Sequence, residues 1–171
     1  MTNNDVLRRL RYIFDLGDSA MIGIFGMADL KVSREQISNW LKKDDDPEMA
    51  ELKDGQLATF LNGLINELRG KREGEQPKPE ERLNNNIIFR KLKIALNLQA
   101  EDVLGLLAGS SSRISKHELS AFFRKADHKH YRKCQDQVLR NFLSGLQRAY
   151  REEEKGEEKS ETKTSSYWKG S

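Results

Sequence analysis

The chain has 171 residues, of which 36% are hydrophobic and a third are charged, with a net charge of +3. That length allows one or two small domains with modest cores. The single cysteine, Cys134, excludes an intramolecular disulfide, and no apolar run nears the roughly 20 residues that cross a bilayer.

Helical periodicity runs through the sequence, and no two-residue alternation interrupts it. A first helix is expected from about Asp5 to Asp15, with Asn4 as its N-cap and Val6, Leu10, Ile13 and Phe14 as its apolar stripe. A second starts near Asp18 or Ser19 and turns Met21, Ile22, Ile24 and Phe25 inward. Gly23 sits in its middle, where glycine costs about 1 kcal/mol relative to alanine. It is read as a point of close helix–helix approach. The third helix opens on a capping box, Ser33-x-x-Gln36, and carries Ile37, Trp40 and Leu41. After an acidic loop, Asp44-Asp45-Asp46-Pro47, a fourth helix begins around Asp54 and carries Leu57, Phe60, Leu61, Leu64 and Leu68. The segment 71–82 contains Pro77 and Pro79 among charges, the pattern of an extended, exposed linker.

The whole series then recurs. At a shift of 82 positions, 17 of 68 residues from 2 to 69 are identical and no gap is needed. Asn3-Asn4 falls on Asn85-Asn86, Gly23 on Gly105, Ser33 on Ser115 and Asp54 on Asp136. The block Leu57-x-x-Phe60-Leu61-x-Gly63-Leu64 returns as Leu139-x-x-Phe142-Leu143-x-Gly145-Leu146. A duplicated unit of this size is a tandem repeat. The fold class is all-α: two small helical-bundle repeats of about four helices each, helix-turn-helix-like, with a disordered C-terminal tail. The domains are residues 1–70, the linker 71–82, residues 83–151, and a tail, 152–171, whose Glu, Lys, Ser and Thr cannot build a core. Tyr167-Trp168 is the one aromatic pair in that tail.

The copies differ in charge. Residues 2–69 hold 9 Lys and Arg against 12 Asp and Glu, a net of −3. Residues 83–151 hold 13 against 5, a net of +8, together with all three histidines.

The paired frame Asn-Asn-x-x-hydrophobic-x-Arg-[Arg/Lys]-Leu, then Val32-Ser-Arg-Glu-Gln-Ile-Ser-Asn-Trp-Leu-Lys-Lys43, then Phe60-Leu-Asn-Gly-Leu-Ile65, resembles the YehS-like bacterial proteins. These are built from two tandem copies of domain of unknown function 1456. The resemblance covers about residues 2 to 151. It implies an all-helical bacterial cytoplasmic protein and supplies no reaction, cofactor or catalytic residue.

Helices two and three resemble a helix-turn-helix, in which polar side chains of the second helix read base edges. In repeat one the recognition-helix candidates are Arg34, Ser38 and Asn39, beside Glu35, with Lys42 and Lys43 near phosphate. In repeat two they are Lys116, His117 and Ala121, with Arg124 and Lys125 behind. The connection is longer than a tight turn, the acidic loop of repeat one would repel phosphate, and capped amphipathic helices are also ordinary bundle parts. The basic surface of repeat two is the stronger signal. Arg113, Lys116, His117, Arg124, Lys125, Lys129, Arg132 and Lys133 form the candidate nucleic-acid-binding set, and Arg90, Lys91 and Lys93 add a second patch. Such a surface supplies a salt-dependent phosphate-binding contribution.

His128-x-His130-x-x-x-Cys134 has zinc-type ligands, but only three, among lysines and arginines, and Cys134 stands where repeat one has Leu52. It is read as a small buried side chain. Asp44–Asp46 with Glu48 lacks the glycine and the ligand spacing of a calcium loop and is read as solvated. No nucleophile–base order or phosphate-cradling loop is present, so no metal, cofactor or catalytic residue is expected and the protein is read as non-enzymatic. Met1 to Arg11 carry no signal-peptide core, and with one cysteine this places the chain in the cytoplasm. The leading partner is DNA or RNA, bound through repeat two. The alternative is an adaptor whose acidic and basic faces meet each other or another protein. No membrane partner is expected.

Overall fold

The computed structural model describes residues 1–110 and 113–152. The tail beyond Glu152, with Tyr167-Trp168, lies outside the described residues. The described residues are all-helical. Repeat one contains α1 (Asn3–Ile13), α2 (Asp18–Met27), α3 (Arg34–Leu41) and α4 (Asp54–Arg69). Repeat two contains α5 (Asn85–Ala95), α6 (Ala100–Leu107), α7 (Lys116–Phe122) and α8 (Asp136–Gln147), which runs on into a π-helical turn, Arg148–Glu152.

The same chemistry starts and stops the paired helices. Ser33 and Ser115 cap α3 and α7, each hydroxyl accepting the backbone N–H three residues on at 3.1 Å. Gln36 completes its box by accepting the Ser33 N–H at 2.8 Å. The Glu118 carboxylate instead takes the Arg132 guanidinium at 3.2 Å. α1 and α5 both end through a left-handed residue, Asp15 at φ 51° and Asn97 at φ 54°, types that tolerate this region. The next N–H closes a six-residue loop back onto the helix, Leu16 to the Arg11 carbonyl and Leu98 to the Lys93 carbonyl, both at 3.0 Å.

Asn4 does not cap α1. Thr2 is the N-cap, in a box with Asp5, and Asn84 caps α5. Asn4 and Asn86 are instead buried inside the first turn. The Asn4 amide donates to the Trp40 and Ala50 carbonyls at 2.9 and 2.8 Å, and its oxygen accepts the Leu52 N–H at 3.0 Å. Asn86 repeats all three bonds, with the Phe122 and Arg132 carbonyls and the Cys134 N–H, at 3.0, 2.7 and 2.9 Å. Asn3 and Asn85 sit beside them and donate to Asp54 and Asp136 at 2.6 and 2.7 Å. The recurring pair is thus a clamp holding the α3–α4 and α7–α8 loops against the first helix.

The glycines that permit close approach are not Gly23 and Gly105, which are exposed and have open space where a Cβ would stand. They are Gly63 and Gly145. A Cβ on Gly63 would stand 1.8 Å from the Ile24 carbonyl oxygen, and one on Gly145 would stand 2.2 Å from that of Leu106. Those contacts press α4 against α2 and α8 against α6.

The repeats join as near mirror partners in sequence. The N-terminal amine of Met1 meets Asp136 at 3.0 Å, and the equivalent Leu83 N–H meets Asp54 at 2.8 Å. Arg9 donates to Ser144 at 3.2 Å, and the equivalent Lys91 to Asn62 at 2.6 Å. These two pairs of contacts survive exchange of the repeats, as in an isologous, two-fold pairing. Arg151, in contrast, pairs with Asp15 at 3.7 Å and lies over the Tyr12 ring at 4.2 Å, with no matching ion pair or ring contact at Arg69 among the described residues. One seam runs between α4 and α5, the other between α1 and α8. The segment 71–79 is largely exposed, yet it is pinned rather than free. Lys71 pairs with Asp29 at 2.8 Å, Asn66 donates to Gln76 at 3.2 Å, and Glu80 meets Lys91 at 3.0 Å.

Candidate nucleic-acid interface

The inter-repeat seams involve α1, α4, α5 and α8, whereas α7 packs on α6. The basic candidates on α7 and its following loop are therefore carried off the interface. Arg113, Lys125, Lys129 and Lys133 are exposed, and none has a carboxylate in ion-pair reach among the described residues. His117 is exposed on the first turn of α7. Arg124 is half-buried and likewise unpaired among the described residues. Lys116 and Arg132 are shared with acids. Lys116 lies 2.7 Å from Glu101 and Arg132 lies 3.2 Å from Glu118. The hydrogen bond between Lys116 and Glu101 raises the lysine pKa and lowers that of the glutamate. Both side chains are about 70% exposed, 68% and 70%, so solvent can compete for the pair. Ala121 is buried and cannot face a ligand.

Repeat one presents the same helix with two of its cations, Arg34 and Lys42, occupied. Arg34 donates to Ser19 at 2.9 Å, with Asp18 at 3.7 Å. Lys42 donates to Asn39 at 2.8 Å and to Glu48 at 2.6 Å, and the Glu48 bond raises its pKa. Ser38 and Lys43 remain exposed and uncommitted among the described residues. The α2–α3 connection spans six residues, 28–33, against the three or four of a helix-turn-helix. α3 has 8 residues and α7 has 7, about 12 and 10 Å of helix.

The second patch expected on α5 does not form. Lys91 is 8% exposed and belongs to the seam, held by Asn62 and Glu80. Lys93 lies over the Phe123 ring at 5.3 Å, which leaves Arg90 exposed on that helix. Arg90 carries the sharpest contrast between the repeats. Its counterpart Arg8 is held by Asp5 at 2.6 Å, Asp44 at 3.3 Å and the Lys42 carbonyl at 2.7 Å. In repeat two those acids are Ile87 and Ala126, and Glu48 becomes His130. The sequence signal was present in the 82-residue register, but only Arg8's contacts show which substitutions matter.

His128 and His130 lie close, ring centroids 5.6 Å apart, with the His130 N–H on the His128 ring nitrogen at 3.0 Å. Cys134 is fully buried and its backbone N–H is bound by Asn86. Burial foremost, with Asp136 nearby, pushes its thiol up to about 12, so it holds its proton at neutral pH. Among the described residues, no group of three or more His, Cys, Asp and Glu side chains is gathered. No helix among them is long and apolar enough to cross a membrane.

The family model described as protein of unknown function, DUF1456, matches residues 3–70 and again 85–152. A relative, the uncharacterised protein YehS of Escherichia coli strain K12, is 42% identical over 147 residues, covering 85% of this chain and 94% of its own. No solved structure matches.

Proposed function

Since the chain belongs to the DUF1456 family, whose description names no activity, we propose a function from its surfaces: non-enzymatic binding of nucleic acid through repeat two, in the cytoplasm. The carrying observation is the position-by-position loss of neutralising acids. Asp5, Asp44 and Glu48 of repeat one give way to Ile87, Ala126 and His130, and Arg90, Arg124 and Lys125 have no carboxylate partner among the described residues. Uncompensated guanidinium and ammonium groups in water attract a polyanion by releasing its condensed counterions. Arg124 and Lys125 lie away from the seams, and Arg90, although on the seam helix α5, is exposed.

Affinity in this reading comes from phosphate contacts by Arg113, Arg124, Lys125, Lys129 and Lys133. The short α7 and the buried Ala121 argue against base reading by a recognition helix, so the binding is weakly sequence-dependent. Changing Lys116, Arg124 and Lys125 to alanine tests it. These side chains lie outside the core, and their loss is expected to weaken oligonucleotide binding at least tenfold, about 1.4 kcal/mol, with an unchanged melting temperature. The adaptor reading predicts unchanged oligonucleotide binding in that variant and an altered oligomeric state instead.

A further inference from the structure

The two seams that join the repeats are related by exchange, but among the described residues the linker covers only one. Over the α4–α5 seam the linker lines one side of an open cavity of about 240 Å³. That is the space of about eight waters at roughly 30 Å³ each. It lies below the roughly 300 Å³ at which drug-sized pockets begin, so it suits a fragment-sized molecule rather than a nucleotide cofactor.

Its lining combines charge with an apolar wall. Arg72 of the linker, Arg90 and Lys91 of α5, and Asn62 of α4 share it with Ile65 and Ile94. Neither Arg72 nor Arg90 has a carboxylate in ion-pair reach among the described residues. Lys91 is a buried ammonium, 8% exposed. It has three N–H donors and uses two, on Asn62 Oδ1 at 2.6 Å and Glu80 Oε1 at 3.0 Å. Asn62 spends its oxygen on Lys91, and its Nδ2 donates to no partner among the described residues. Glu80 is the one acid on this group, set against three cations. Lys91 is enclosed and paired with Glu80, while Arg72 and Arg90 are exposed at the mouth, so the excess of positive charge faces incoming solutes and favours an anion. Ile94, 46% exposed, supplies an apolar wall for whatever the anion is attached to.

The matching seam between α1 and α8 provides the internal control. There Arg8 is saturated by Asp5 and Asp44, and Arg9 spends a guanidinium N–H on Ser144. The linker covers only the α4–α5 side.

We propose that this cavity is a binding site for a small organic anion, a carboxylate or phosphate monoester on an apolar body of fragment size. The anionic oxygens take Arg72, Arg90 and the third Lys91 proton, and the body rests on Ile65 and Ile94. A bound molecule ties the linker to α4 and α5 at once. Arg90 enters both readings, but the inference does not depend on nucleic-acid binding, whose test variant changes Lys116, Arg124 and Lys125 and leaves this cavity intact.

The test titrates the full chain with phenyl phosphate and with benzoate, following the Ile65 and Ile94 methyl resonances. Phenol and inorganic phosphate serve as the separate halves. Saturable shifts at both methyls are expected with phenyl phosphate, benzoate or both, and the better probe identifies the preferred headgroup. Each half should bind at least tenfold more weakly, about 1.4 kcal/mol. Arg72→Ala with Arg90→Ala should abolish the shifts at unchanged melting temperature, while Arg124→Ala with Lys125→Ala should leave them intact. The proposal is overturned if neither probe gives saturable shifts up to about 10 mM. It is equally overturned if inorganic phosphate binds as well as phenyl phosphate, or if the Arg72/Arg90 variant binds like the wild type.

Discussion

Arg8 and Arg90 occupy the same place on the first helix of their repeats, and their surroundings show how one template serves two purposes. Around Arg8, two carboxylates and a carbonyl consume the guanidinium. Around Arg90 the same positions hold Ile87 and Ala126. Beneath both, the buried scaffold is kept in kind: the asparagine clamp, the left-handed helix stop and the close glycine recur, while core side chains such as Ile13 and Ala95 or Leu52 and Cys134 exchange one apolar group for another. Packing tolerates few alternatives at native density, whereas exposed charge is energetically cheap to exchange. Duplication therefore preserved the interior and let the surface diverge.

The largest effects should fall on what the repeats share. Gly63→Ala and Gly145→Ala each force a Cβ into a helix carbonyl. Each is expected to cost about 3 kcal/mol or more in urea unfolding. If either variant is as stable as wild type, the close approach is not required. Asn4→Ala and Asn86→Ala each strand a buried N–H and two carbonyls. A loss of about 2–4 kcal/mol is expected from each, and a large difference between the two would break the symmetry claimed for the clamp.

Surface exchange should matter less to stability and more to binding. Ala126→Asp with His130→Glu restores to repeat two the two loop acids of repeat one, Asp44 and Glu48. Oligonucleotide affinity should fall about tenfold at low salt, or about 1.4 kcal/mol, measured by fluorescence anisotropy, with stability unchanged. Smaller still, Gly23→Ala and Gly105→Ala add a methyl where space is open and should stabilise their helices by up to about 1 kcal/mol. A loss of stability from either would show that those glycines serve the fold after all.

The Cys134 thiol separates interior from surface by pH. Burial raises it from an ordinary 9.0 to about 12. The folded form then holds its proton where the unfolded form has lost it. The resulting stability is full below about pH 9 and declines as pH rises toward 12. Thiol labelling at pH 8 should be slow in the native protein and fast in urea. Equal rates would place the thiol at the surface.

Much of this was legible in the sequence, for identifiable reasons. The apolar stripes, the serine caps and the 82-residue register are local or periodic signals, and the all-helical architecture followed from them. Asn4 reads as an N-cap in sequence because asparagine caps helices as readily as it clamps loops, and its clamp closes on residues 36 to 48 positions away. Gly23 was preferred over Gly63 although only Gly63 lies within an apolar stripe, between Phe60 and Leu64; the signal existed there. Lys91 looked like surface charge because nothing local reveals the seam that buries it. Of the candidate interface, residue identities were legible but their ion pairs were not. Lys42 and Lys125 differ only in what folding brings beside them.

The direct test of the account is binding of a labelled single-stranded and a double-stranded oligonucleotide to the intact chain at about 50 mM and about 300 mM salt. With about four phosphate contacts from repeat two, affinity for one or both should fall roughly 10²–10³-fold between those conditions, and the low-salt binding should be lost in the Lys116, Arg124 and Lys125 alanine variant. Absence of binding to either oligonucleotide at the lower salt, or salt-sensitive binding that survives in that variant, would contradict it.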